Sequence, residues 1–72
     1  MHYVLTITSN KEVTEDHADT FGQVFGEDFD SVSWKGNKIE FDGQMAGMGR
    51  MGAILRELRC AVSGLSLEFS IA

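Results

Sequence analysis

The longest amphipathic stretch of the chain covers residues 43–63 and predicts a helix. At about 100° per residue, its apolar residues gather on one side and its polar and small residues on the other. The apolar side holds Met48, Met51, Ile54, Leu55, Leu58, Ala61 and Val62, and the other side holds Arg50, Ala53, Arg56, Glu57 and Cys60. One apolar stripe is typical of a helix that packs on a sheet. The rest of the chain is therefore expected to supply that sheet and a second helix.

Four shorter stretches show the two-residue alternation of half-buried strands, at residues 2–8, 30–35, 38–42 and 65–71. In the last of them Leu65, Leu67, Phe69 and Ile71 are expected to face inward. The dipeptide Gly36-Asn37 separates the middle two stretches. These residues tolerate the positive φ angles of a primed turn, so they predict a two-residue hairpin loop.

A second helix is predicted between the first two strands, and it has two candidate starts. Residues 9–12 have the form of a capping box, and Thr14 is an alternative cap that would place two acidic residues in the first turn. Either helix runs to about Phe25 and stops at Gly26. Its apolar side holds Val13, His17, Phe21, Val24 and Phe25.

The order of these elements is β-α-β-β-α-β, which predicts a single α+β domain over residues 1–72 with a ferredoxin-like fold. Right-handed crossovers place both helices on one face of a four-stranded antiparallel sheet. Each predicted strand has one apolar side and one mostly polar side, as expected of a sheet that is covered on one face only.

Composition narrows the class of partner. The chain has 11 acidic and 6 basic residues and a formal net charge of −5, which argues against direct binding of nucleic acid or anionic membranes. The single cysteine excludes an internal disulfide and fits a reducing compartment. We find no apolar run of the roughly 18 residues that span a bilayer and no signal peptide. A cytoplasmic location is expected.

A glycine-rich segment precedes the second helix, and Gly47-Met48-Gly49-Arg50-Met51-Gly52 matches the G-x-G-x-x-G pattern of dinucleotide sites. The parallel βαβ unit of such sites is missing, so we interpret these glycines by packing. Gly47 is expected to face the sheet and allow close approach, whereas Gly49 lies on an accessible flank. Met48 and Met51 are expected in the core, and Met45 is expected to be exposed.

No arrangement of side chains predicts catalysis, a metal or a cofactor. His17 lies within an apolar stripe, which favours a packed and hydrogen-bonded histidine over a general base or ligand. Cys60 has no histidine or aspartate nearby in sequence to activate it. The outward positions of the predicted central strands carry no aromatic residue of the kind on which RNA-binding domains stack bases.

The remaining candidate is an acidic surface on the first helix. It comprises Glu12, Glu15, Asp16 and Asp19, extended by Glu27, Asp28 and Asp30. Such a surface serves either for solubility alone or as a docking site for a protein with a basic surface. A second candidate contact patch holds Met45, Gly49 and Arg56.

Two resemblances add functional expectations. The segment Tyr3-Val4-Leu5-Thr6-Ile7-Thr8-Ser9-Asn10, with Phe41-Asp42-Gly43, resembles the ACT-type regulatory region of bacterial phosphoserine phosphatases. That resemblance implies amino-acid binding at an interface, through a glycine-containing loop after the first strand. Here the loop at residues 9–13 has no glycine, and these 72 residues do not include the catalytic domain of those phosphatases.

As a type, the short acidic chain is also similar to phage anti-defence proteins, including anti-CRISPR proteins. Those proteins occupy the nucleic-acid-binding or assembly surfaces of their targets, in the host cytoplasm. The resemblance implies a non-enzymatic inhibitor that binds a basic protein surface. The alternatives are an ACT-like regulatory domain and a self-associating subunit, a homodimer in which the edge strand at residues 31–34 pairs with its symmetry mate.

Overall fold

The computed structural model describes every residue of the chain except Glu27 and the side chain of Met48. The elements are β1 (His2–Ser9), α1 (Glu15–Phe25), β2 (Ser31–Lys35), β3 (Lys38–Gln44), a 3₁₀ turn (Met48–Arg50), α2 (Met51–Ala61) and β4 (Leu67–Ile71). The strands form one sheet in the order β2-β3-β1-β4, and each neighbouring pair is antiparallel. The predicted β-α-β-β-α-β order and two-layer α+β fold are confirmed.

The core lies between one face of the sheet and the two helices. Alternate residues of β1 and β3 point into it and are almost completely buried: Tyr3, Leu5, Ile7, Ile39 and Phe41. The helices contribute Ala18, Phe21 and Phe25 from α1 and Met51, Ile54 and Leu58 from α2. In β4, Leu67 is buried and Phe69 half-buried, whereas Ile71 at its end is 43% exposed. Because the apolar residues of sheet and helices form a single cluster, one core holds the layers together.

The first helix begins at the later of its two predicted starts. Thr14 is the N-cap: its Oγ1 accepts a hydrogen bond from the His17 amide, and the Thr14 amide donates to His17 Nδ1 at 3.2 Å. The predicted capping box at residues 9–12 is wrong because Ser9 remains in β1, where it pairs with Leu67. Val13 is buried before the helix rather than on it. Gly26 ends α1 as predicted, with φ of 64°.

The hairpin loop between β2 and β3 has the predicted length. Lys35 pairs with Lys38, which leaves Gly36 and Asn37 as the loop. Only Gly36 has a positive φ angle, 60°, which is the pattern of a type II′ turn rather than type I′. Asn37 joins this loop to the end of β1, because its Nδ2 donates to the Ser9 carbonyl at 2.9 Å.

The second helix starts much later than residue 43. β1 is long enough to pair with β3 as far as Gln44, so residues 43 and 44 are extended. Beyond the strand, the Met45 amide donates to the Met1 carbonyl at 2.9 Å, and Met45 is buried rather than exposed. Gly47 is exposed, and a Cβ there would meet nothing within 4 Å. The expected close approach at Gly47 is therefore wrong.

The close approach occurs at Gly43 instead. A Cβ on this buried residue would lie 2.6 Å from the Asp28 carbonyl oxygen and 2.6 Å from Phe29 Cα. The loop after α1 thus crosses directly over β3, and Phe29 packs edge-on against Phe41 at a ring distance of 5.1 Å. Only glycine fits at this crossing.

We expect Gly43→Ala to lower the free energy of unfolding by about 1–3 kcal/mol, because backbone atoms rather than a flexible side chain block the new methyl group. Gly52→Ala is the matched control, since it adds a methyl group in open space on α2. The control is expected to gain up to about 1 kcal/mol. Urea denaturation measures both, and equal midpoints for the two variants would contradict this packing.

Candidate protein-interaction surface

The acidic residues of α1 lie on its solvent side. Glu15 and Asp16 occupy the first turn after the Thr14 cap, where carboxylates interact favourably with the helix dipole. Asp19 follows one turn later, and Glu12 precedes the cap. All four are exposed, as predicted from the apolar spacing of the helix.

These four carboxylates have no cationic partner within the described part of the chain. The ion pairs formed by the described residues join Asp42 to His2, at 2.6 Å, and Asp28 to Arg50. α1 contains no lysine or arginine, and Asp19 stands three and four residues after Asp16 and Glu15. Like charges at those spacings cost a helix about 0.2–0.5 kcal/mol per pair. The structure therefore concentrates uncompensated negative charge on the outer side of α1.

In the extension of the acidic surface, the carboxylates differ in their contacts. Asp30 is exposed, but the Asp28 carboxylate accepts a hydrogen bond from Arg50 beside the start of α2. Glu27 lies outside the described residues. A basic partner that reached Asp28 would have to displace Arg50, whereas the α1 carboxylates need no such exchange.

Tyr3 fixes the loop that carries Asp28 and Asp30. Its hydroxyl donates to the Asp28 carbonyl at 2.5 Å, while its ring is buried against Phe25. Burial raises the pKa of Tyr3, and the negative charges of Asp30 and Asp42 raise it further. The two-residue alternation of the first strand gives no signal for this bond, which joins residues 25 positions apart.

The second predicted patch is only partly assembled. Met45 is buried, while Gly49 and Arg56 are exposed. An open depression of about 390 Å³ brings Met45 and Gly49 together with Asp28 and Arg50, but Arg56 does not line it. Met45 and Gly49 thus line the same depression, and Arg56 is exposed on α2 outside it.

The structure also locates His17 and Cys60, the two side chains considered for catalysis. His17 is half-buried and its Nδ1 completes the α1 capping box. Cys60 is an exposed free thiol. Among the residues that the structure describes, no three His, Cys, Asp or Glu side chains are grouped as a metal site would require. Within the same residues, neither helix has the length and apolar character needed to cross a membrane.

Tyr3→Phe is expected to lower the free energy of unfolding by about 1 kcal/mol at neutral pH, because the Asp28 carbonyl loses its donor. The folded state raises the Tyr3 pKa, so the neutral hydroxyl stabilises the folded chain fully at any pH below the Tyr3 pKa of the unfolded chain, near 10. This stabilisation is lost as the pH rises through the Tyr3 pKa of the folded chain. The difference in stability between the two proteins should therefore shrink in alkali. Denaturation at a series of pH values measures it.

A direct control is available because Tyr3 is the only tyrosine. Absorbance titration of the folded chain should give a pKa above that of the urea-unfolded chain. Equal values in the two states would contradict the environment described for this hydroxyl.

The chain matches no model of a known protein family, and no curated protein matches its sequence. Its function is therefore inferred from its own residues.

Proposed function

We propose that this chain is a non-enzymatic protein-binding module, a small inhibitor that occludes a basic surface of a larger complex. That surface is one with which the complex binds nucleic acid or assembles. The single observation that supports the proposal is the exposed and unpaired set of carboxylates at Glu12, Glu15, Asp16 and Asp19.

The distribution of charge favours binding over solubility alone. Most of the basic residues lie elsewhere: two lysines flank the hairpin loop, and Arg50, Arg56 and Arg59 lie at or along α2. Charged residues that serve only solubility are equally effective when acidic and basic residues are interspersed over the surface. A surface of one sign instead steers a partner of the opposite sign and determines its orientation.

The size of the chain also fits occlusion. A stable interface buries about 800 Å² on each partner, nearly a fifth of the 4428 Å² surface of this chain. α1 is about 16 Å long at 1.5 Å per residue, so one helix side is too small alone. The contact would extend from Glu12 along α1 to the loop at Asp30, and a body of this size would cover the partner's surface.

We expect the triple variant Glu15→Gln, Asp16→Asn, Asp19→Asn to bind the partner at least about tenfold more weakly and with a shallower dependence on salt. The partner is the basic complex that the immobilised unmodified chain retains from a cell lysate. It is then purified and titrated at several salt concentrations. The unmodified chain should also displace nucleic acid from that complex.

The matched control neutralises three exposed carboxylates outside α1: Glu40→Gln, Glu57→Gln and Glu68→Gln. Both variants change the net charge by the same amount. If the control loses as much affinity as the α1 variant, net charge rather than this surface governs binding. If neither loses affinity, the proposed contact is wrong.

A further inference from the structure

β2 is an edge strand that carries few of the features that discourage pairing. It bonds only to β3, in an uninterrupted register from Ser31 opposite Asp42 to Lys35 opposite Lys38, so it contains no bulge. It contains no proline, and Lys35 at its end is its only charged residue. Natural edge strands usually carry such protective features, because their free backbone groups invite another strand.

On the other edge of the sheet, one outward backbone group already has a partner. Arg59 of α2 reaches β4, where its Nη1 donates to the Leu67 carbonyl at 3.2 Å. Its guanidinium also lies over the Phe69 ring, 4.8 Å from the centroid. A cation thus already occupies one outward carbonyl of β4. Among the described residues, β2 has no comparable side-chain contact on its outer side.

The hairpin determines which backbone groups of β2 are free. Its two-residue loop makes Lys35 and Lys38 a hydrogen-bonded pair, and in antiparallel strands such pairs alternate with non-bonded ones. The backbone groups of Ser31, Ser33 and Lys35 therefore point toward β3. The N–H and C=O groups of Val32 and Trp34 point outward, away from the sheet.

The side chains of these two residues make the edge apolar. Val32 lies opposite Phe41 and Trp34 opposite Ile39, so both face the helix side of the sheet. Trp34 is nevertheless 41% exposed. Beside Val32, a groove of about 450 Å³ opens between α1 and β2, with Ala18, Gly22 and Phe29 among its lining residues.

We propose that β2 pairs with β2 of a second copy of this chain, antiparallel and with Ser33 on the two-fold axis. This dimer does not depend on the proposed inhibitory function. It joins two four-stranded sheets into one of eight strands. Val32 of each copy lies opposite Trp34 of the other, and their outward N–H and C=O groups form four hydrogen bonds. Each indole then covers the groove beside Val32 of the other copy.

The self-complementarity of this register supports a second copy as the occupant. A two-fold pairing centred on Ser33 leaves no outward group of Val32 or Trp34 without a partner. Centring it on Trp34 would instead place Val32 opposite Gly36, whose carbonyl already accepts from the Val13 amide at 2.8 Å.

Charge complementarity supports the same register. Lys35 of one copy would lie opposite Ser31 of the other, and Ser31 pairs with Asp42. Across that small serine, about 10 Å between Cα atoms, the lysine ammonium reaches the Asp42 carboxylate. Since Asp42 Oδ1 already contacts His2 Nε2 at 2.6 Å, the lysine would bind Oδ2. The two-fold axis repeats this ion pair on the other copy.

Cross-linking tests the register, in a Cys60→Ser background that removes the native thiol. Ser33→Cys should form a disulfide dimer under mild oxidation, because the two Cα atoms at the axis lie about 4.5 Å apart. Ser31→Cys is the matched control on the same strand and side. Its two copies would lie about 13 Å apart, four residues along the strand, and should not cross-link. Equal cross-linking of both variants, or none of either, would overturn the proposal.

Sedimentation equilibrium over a concentration series tests whether the chain dimerises through β2. The unmodified chain should dimerise, and Trp34→Lys should raise the dimer dissociation constant at least about tenfold, since it removes a central aromatic contact. Ile71→Lys is the control, because Ile71 has a similar exposure, 43%, at the end of β4. A chain that stays monomeric at every concentration would refute the dimer, and so would loss of dimerisation in Ile71→Lys alone. Circular dichroism confirms that each variant is folded.

Discussion

The pairing of β1 with both of its neighbours is the interaction on which the rest of the structure depends. β1 lies between β3 and β4, and its alternate residues Tyr3, Leu5 and Ile7 form the floor of the core under both helices. The ends of this strand also organise the loops. Ser9 bonds the hairpin tip through Asn37, and Tyr3 holds the Asp28 carbonyl. In a chain of 72 residues, where a single core supplies little surplus stability, one central strand thus determines the position of most other elements.

This arrangement explains why the two candidate surfaces differ in character. The sheet and the apolar sides of the helices use nearly all the large apolar residues, which leaves the carboxylates on the outer side of α1. β2 lies at the opposite edge from β4, and α1 does not fully cover it, so Trp34 stays partly exposed. One surface is charged and suited to steering a basic partner. The other is apolar, with free backbone groups, and is suited to a strand. The proposed inhibitor surface and the proposed dimer edge meet at Asp19, which also lines the groove beside Val32.

Much of the fold could be predicted from local patterns, and the errors share one cause. The alternation of β1, the Gly36-Asn37 loop and the Gly26 stop all depend on neighbouring residues, and all were correct. The segment at residues 43–47 has the composition of a helix start, yet Gly43 and Gln44 extend β3 because β1 offers backbone groups to them. Likewise, Ser9 could cap a helix, but its pairing with Leu67 keeps it in β1. In both places a long-range strand partner outcompeted a local preference. Just beyond this extension of β3, the Met45 amide bonds the Met1 carbonyl, and Met45 is buried rather than exposed.

The sequence by itself determined the order of elements, the fold class and the exposure of the α1 carboxylates, because hydrophobic periodicity specifies which side of a helix or strand is buried. Only the tertiary structure decided which charges remain unpaired. Arg50 is far from Asp28 in sequence, and a chain crossing brings them together. The tertiary structure also decided where only glycine fits. The glycine-rich pattern predicted a close approach at Gly47, whereas the close approach is at Gly43. Contacts between distant residues depend on register and sheet order, and no local pattern encodes the distance between two elements.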